Sequence, residues 1–155
     1  MYSSDIFKNC KMALENCLGV RQAFQALPAN IEASINIEDR IPCTLLLKDG
    51  ELVLEPRKTL VADIEFILFS ESIRRLNSTR PDYIPTLASE LLNYVLQGHA
   101  RIRLLSSPIT FYEKGYVSAL KGLGPEIKKE FSKLLFYSLG QASSIVETLK
   151  KIISK

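Results

Sequence analysis

The succession of hydrophobic periods along the chain predicts an α+β fold: a five-stranded, mostly antiparallel sheet covered on one face by helices. Three observations lead there. Apolar residues recur at helical steps up to Leu27. They then alternate with period two through residues 31–69. Helical steps return on either side of one further alternating stretch at 100–104. With 155 residues the chain has the length of one domain and can bury roughly 70% of its unfolded surface, so no disulfide or metal staple is needed.

Ile6, Cys10, Leu14, Cys17, Leu18, Phe24 and Leu27 form one helical stripe, which predicts a helix from Ser3 or Ser4 to Leu27. Ser4 or Asp5 can cap its start and Pro28 stops it. Gly19 weakens its middle by up to about 1 kcal/mol relative to alanine. Next, Ile31, Ala33, Ile35 and Ile37 alternate with Glu32, Ser34, Asn36 and Glu38, as a strand with one wet face does. Pro42 suits a strand start, and Cys43, Leu45 and Leu47 continue the alternation to Lys48. Asp49-Gly50 readily adopts the positive φ of a tight turn, so Leu52–Glu55 should pair back antiparallel, with Pro56 closing the strand.

The most apolar strand is Ala62–Phe69, with Ile64, Phe66 and Leu68 on one side and Asp63, Glu65, Ile67 and Phe69 on the other. Ser70 is expected to cap a short helix, with Glu71 in its first turn. A polar break at Asn77–Asp82 separates it from a helix opened by Pro85, carrying Leu87, Ala88, Leu91, Leu92 and Val95, and ended by Gly98. In the fifth strand Ala100, Ile102 and Leu104 oppose His99, Arg101 and Arg103. Pro108 opens a helix to about Lys121, and Gly122-Leu123-Gly124-Pro125 is a hinge. Ile127, Phe131, Leu134, Ser138, Ala142, Ile145, Leu149 and Ile152 then mark a long amphipathic helix. The expected organisation is thus a domain over 1–125 with a C-terminal helix, 126–155, packed on it or extending from it.

Composition narrows the class. A chain that is 46% hydrophobic and 24% charged is globular and not disordered. No stretch approaches the roughly 20 apolar residues of a membrane span. Asp5, Lys8, Lys11 and Glu15 interrupt any apolar leader, which makes the cytoplasm the expected compartment. The three cysteines are an odd count and form no disulfide framework. Cys10 and Cys17, two helical turns apart, read as one buried stripe. Net charge is +3, and residues 121–155, with seven lysines and three glutamates, hold more than all of it.

No catalytic apparatus emerges. The lone histidine, His99, begins a strand in the row of Arg101 and Arg103 and reads as a strand-end residue, and no G-x-S-x-G elbow exists. Acidic, His and Cys residues lack ligand spacing, so neither a metal nor a cofactor is expected. Asp63 and Glu65 point the same way and are expected to pair with Arg101 and Arg103 across the wet face. Gly122-x-Gly124 lacks the rest of a phosphate loop. Tyr112, Lys114, Tyr116 and Lys121 interleave aromatic and basic residues, but no domain-wide basic excess points to nucleic acid. What remains is apolar surface: one sheet face and the helices at 86–97, 108–121 and 126–153. By pattern alone those faces either close on each other or leave a cavity.

The stretch from Leu60 to Leu123 resembles the sterol carrier protein type-2 superfamily of small lipid-binding domains. The matching residues are Ala62-Asp63 opening an apolar strand, a Ser70-led helix ending in Arg75-Leu76, and Leu91-Leu92 leading to Gly98. Ile102 in the next strand and Ala119-Leu120 in a following helix complete the pattern, and the strands of 31–55 with their Asp49-Gly50 turn extend it to about residues 5–123. The chain departs from the family at Ser106-Ser107-Pro108, where Gly-Asp is usual, and in a longer loop at Ser78–Pro85.

The resemblance implies an apolar tunnel between sheet and helices that binds and transfers a sterol, a fatty acyl chain or an isoprenoid quinone without catalysis. The residues it would place on the tunnel wall are Phe66, Leu68, Leu87, Leu91, Val95, Ile102, Leu104, Phe111 and Leu120. The basic helix at 126–155 would lid the tunnel, dock on a membrane surface, or pair with another helix in a partner protein or a second copy. Quinone-biosynthesis accessory members of the superfamily append such helices. The alternative is an interaction or scaffold protein that uses the same fold and tail for complex assembly.

Overall fold

The computed structural model describes residues 2–116, together with Pro125 and Lys129. The expected hinge, the continuation of the last helix to Lys121 and the helix at 126–155 lie outside these described residues. Within them the order is α1 (Tyr2–Glu15), α2 (Leu18–Ala26), β1 (Glu32–Ile37), β2 (Ile41–Lys48), β3 (Glu51–Glu55), β4 (Ile64–Leu68), α3 (Ser70–Thr79), α4 (Ile84–Leu96), β5 (Ala100–Leu104) and α5 (Pro108–Glu113).

The strands form one sheet in the order β3-β2-β1-β4-β5. The pairs β1–β2, β2–β3 and β4–β5 are antiparallel, while β1 and β4 at the centre run parallel. The fold is therefore α+β with a mostly antiparallel sheet. Asp49 and Gly50, both at positive φ, make the tight turn between β2 and β3. Register places the alternating apolar residues in cross-strand rows: Ala33–Leu45–Leu54, Cys43–Ile35–Phe66–Ile102 and Ile37–Leu68–Ala100. This inner face packs against α1, α2 and α4 to form the core. Cys10, Cys17 and Cys43 are free thiols within that core.

The outer face is less wet than alternation predicts. Ile67 is buried there beside Asn36 and Arg101, and so is Thr44, whose hydroxyl donates to the carbonyl of Arg57 at 2.8 Å. The segment 56–63, which connects β3 to β4, crosses this face. Arg57 bonds Glu32 at 3.0 Å and Glu55 at 2.8 Å, and Thr59 donates to Glu32 at 2.7 Å.

Two local expectations are corrected. The N-terminal helix is broken at Asn16-Cys17, because α2 docks end-on against the segment before α4. The amide of Gly19 donates to the carbonyl of Pro81 at 2.9 Å, and the Cys17 thiol lies 3.2 Å from the same oxygen. A side chain at Gly19 would meet that oxygen at 2.8 Å, so glycine is there for close approach. At α3, Ser70 is already helical and Phe69 is the cap position, without a side-chain bond. The carboxylate of Glu38, from the β1–β2 turn, instead accepts from the Ser70 amide at 2.7 Å and from its hydroxyl.

Helix propensity alone would make Gly19→Ala stabilising by about 1 kcal/mol. The contact with Pro81 reverses the sign: the variant should lose about 1–3 kcal/mol through overpacking, read as a lowered denaturation midpoint at unchanged slope. A more stable variant would mean that the α2–Pro81 junction is loose.

Candidate functional site

A cavity of about 110 Å³ lies between the inner sheet face and the helix layer. Strand alternation aims its floor: Ala33 and Ile35 on β1, Leu45 on β2, Ile64, Phe66 and Leu68 on β4, and Ile102 on β5. Its roof comes from Leu14 on α1, Val20, Ala23 and Phe24 on α2, Leu76 on α3, and Leu87 and Leu91 on α4. Leu27, Ile31 and Tyr116 complete the wall.

Two features set this space apart from an ordinary core. Phe66 sits on a central strand under the helices, where neighbours such as Ile35 are 2% exposed, yet it is only half-buried, as are Ile64, Phe24 and Leu91. The described helices thus leave the middle of the sheet incompletely covered. The wall is also hydrocarbon: among the described residues that line it, only Tyr116 carries a polar side-chain group, and its hydroxyl is engaged elsewhere, donating to Asp63 Oδ2 at 2.8 Å.

That bond belongs to a polar cluster at one end of the sheet. Asp63, just before β4, also accepts from Lys114 Nζ at 2.9 Å, and its backbone carbonyl accepts from the amide of Leu105 at 2.7 Å. Burial by itself would raise the Asp63 carboxyl. The hydrogen bonds from Lys114 and Tyr116 outweigh it and hold the group below the usual carboxylate range. Burial, and then the neighbouring carboxylate, push the Tyr116 phenol up. The cluster ties the chain after α5 to the mouth of β4. The expected pairing of Asp63 with an arginine of β5 is thereby corrected. Only Glu65 pairs that way, at 3.3 Å from Arg103, because Asp63 precedes the strand and is overtaken by residues after α5.

Of the residues expected on a tunnel wall, Phe66, Leu68, Leu87, Leu91 and Ile102 border the cavity. Val95 packs against the core beside it and does not border it, because it lies one turn beyond Leu91 on α4. Leu104 ends β5 opposite Ile64 and is likewise off the wall. Phe111 lies in α5, its side chain outside the described set, and Leu120 is outside it altogether. Pattern reading missed the roof from α1 and α2. Leu14, Phe24 and Leu27 were legible as an apolar stripe, but nothing local says that this stripe faces a gap.

His99 is a partly exposed strand-end residue whose backbone bonds Phe69 and Tyr94. Burial pushes the Cys43 thiol up to about 11 and raises those of Cys10 and Cys17, so none is a ready thiolate. Among the described residues, no group of His, Cys, Asp and Glu is placed to hold a metal, and no helix is long and apolar enough to cross a membrane.

A solved structure described as "UbiJ-SCP2 Ubiquinone synthesis protein" superposes with a TM-score of 0.46 at 10% identity, over 77% of this chain and 96% of that one. No family model and no curated protein matches the sequence. A likeness at that level says nothing about ligand or activity.

The Asp63 cluster makes a pH prediction. A carboxyl held below its unfolded value of about 3.9 contributes stability that is present above that pH and lost as pH falls through the folded value. Asp63→Asn should therefore cost about 1–3 kcal/mol at neutral pH, with the gap to wild type closing below about pH 4. A gap that stays constant into acid would show that the ionised carboxylate is not what matters.

Proposed function

We propose that the protein binds a flexible hydrocarbon chain, acyl or isoprenoid, in the cavity before Phe66, with the ligand's head group left outside, and that it does so without catalysis. The observation that carries this reading is the incompletely covered Phe66 in a wall that, among the described residues, is hydrocarbon but for Tyr116. An empty void of this size costs about 2–3 kcal/mol, at about 24 cal/mol per Å³. An apolar guest removes that cost and gains about 0.8 kcal/mol for each buried methylene. Water is a poor occupant, because it needs polar partners that the wall does not offer.

Size selects among the ligands that the family resemblance implies. A cavity of about 110 Å³ falls short of the roughly 300–1,000 Å³ of sites that enclose a whole drug-sized molecule. It is of the order of the roughly 150 Å³ cavity that admits a benzene-sized guest. A linear chain can thread its end into such a space and let the helices adjust around the rest. A rigid sterol must displace them at once. Transfer, in this reading, is release of a guest held only by burial, with no directional bond to break.

The test is uptake of a fluorescent long-chain acyl probe by the full chain, competed by unlabelled acyl and isoprenoid chains and by a sterol. Acyl and isoprenoid chains should displace the probe well and the sterol poorly. Ala23→Leu adds three carbons to the roof. It should weaken probe uptake by about tenfold or more with little loss of stability, because the new side chain fills vacant space. Undiminished uptake in this variant, or no uptake in the wild type, would contradict the reading.

A further inference from the structure

The segment 56–63 does more than connect two strands. Thr59 is buried and fixed to Glu32, and its hydroxyl also accepts from the amide of Val61 at 3.2 Å. The two residues that follow Thr59 are consecutive aliphatics projecting into solvent: Leu60 is 92% exposed and Val61 62%. Leu105, whose amide bonds the carbonyl of Asp63, and Ile109 on α5 add exposed apolar surface at the same end of the sheet. Exposed aliphatics gathered at one end of a molecule mark a contact surface.

The charges beside them have a consistent orientation. On the outer sheet face each ion pair turns its cation outward and keeps its carboxylate beneath. Arg57 is 44% exposed over Glu32 at 20% and Glu55 at 21%, and Arg103 is 61% exposed over Glu65 at 14%. Lys48 stands over Glu55 in the same way, and Lys58 is exposed next to the aliphatic tip. Three exposed acids flank this surface: Asp49 in the β2–β3 turn, Glu51 at the start of β3, where Arg21 pairs with it at 3.2 Å, and Glu113 on α5.

We infer that this surface docks on an anionic lipid bilayer, with Leu60 and Val61 entering the acyl boundary and the outward cations lying at head-group level. Two consecutive aliphatics projecting from the surface suit entry into a fluid apolar phase, which needs no shaped pocket to receive them. The outward cations match lipid phosphate, and their long stems let the charge stay in water while the apolar tip is buried. Docking at this surface does not depend on the cavity reading. Its placement beside Ile64 and Tyr116 would nonetheless bring a bilayer to one end of the cavity wall.

Co-sedimentation of the full chain with phosphatidylcholine vesicles, with and without phosphatidylglycerol, tests it. Binding should require phosphatidylglycerol and weaken in salt of about 1 M, where screening acts within about 3 Å. The double variant Leu60→Asp/Val61→Asp should bind at least about tenfold less tightly, whereas Leu18→Asp, at a leucine 54% exposed on the helix side, should bind as wild type. A polarity-sensitive fluorophore on Leu60→Cys should shift to the blue on phosphatidylglycerol vesicles. Wild-type binding that survives the double substitution, no vesicle binding at all, or an unmoved fluorophore would each overturn the inference. So would a concentration-dependent dimer that the double variant abolishes while vesicles bind nothing, which would assign the patch to self-association. Acyl-probe uptake from solution should be unchanged in the double variant. Failure of the wild type to take up that probe would sink the cavity reading and leave the docking result standing.

Discussion

The constraint on which the rest of this structure depends is the coverage of Phe66. Its strand is central, paired to β1 on one side and β5 on the other, and its ring faces the helices. A sheet face of this kind must be roofed, and the roof here is fixed at its margins. Gly19 and Cys17 hold α2 to Pro81, and Tyr116 and Lys114 hold the chain after α5 to Asp63. These bonds are directional and set where the covering elements stand. The apolar contacts between them are not directional and fill whatever space is left. The space before Phe66 is what they do not fill.

Buried polar groups therefore sit around the cavity and not in it. Asp63 is 4% exposed and ionised, which is tolerable only because Lys114 and Tyr116 satisfy it. The same pairing turns the Tyr116 hydroxyl away from the hydrocarbon wall. In the proposed binding, the length and flexibility of the guest set selectivity, because the described wall is hydrocarbon but for Tyr116. The apolar tip at Leu60-Val61 follows from the same architecture. The crossover is held down on the outer face by Arg57 and Thr59, and the two residues after Thr59 project outward.

Strands were legible in the sequence because alternation is a local property. Register made the inner rows out of Ala33, Ile35, Phe66 and Ile102, and the Asp49-Gly50 turn fixed one hairpin. Alternation put Ile64, Phe66 and Leu68 on one side of β4, while the placing of Phe66, Leu68 and Ile102 on a tunnel wall came from the family resemblance, which did not name Ile64. What stayed hidden depends on partners far along the chain. The break at Cys17 needs Pro81, the capping of α3 needs Glu38, and the partner of Asp63 comes from beyond α5. The parallel pairing of β1 with β4 has no local signal either. Leu14 and Phe24 read as ordinary stripe residues because periodicity reports that a face is buried and not whether its neighbours meet it.

The central claim, that an apolar chain occupies the space before Phe66, is most directly tested by isotope-filtered NMR on the full chain mixed with an unlabelled long-chain fatty acid. The account predicts intermolecular contacts from chain methylenes to the Phe66 ring and to Leu91 and Phe24. Contacts confined to surface residues, with the Phe66 ring packed against α2 and α4 in the mixture as in the free protein, would contradict it.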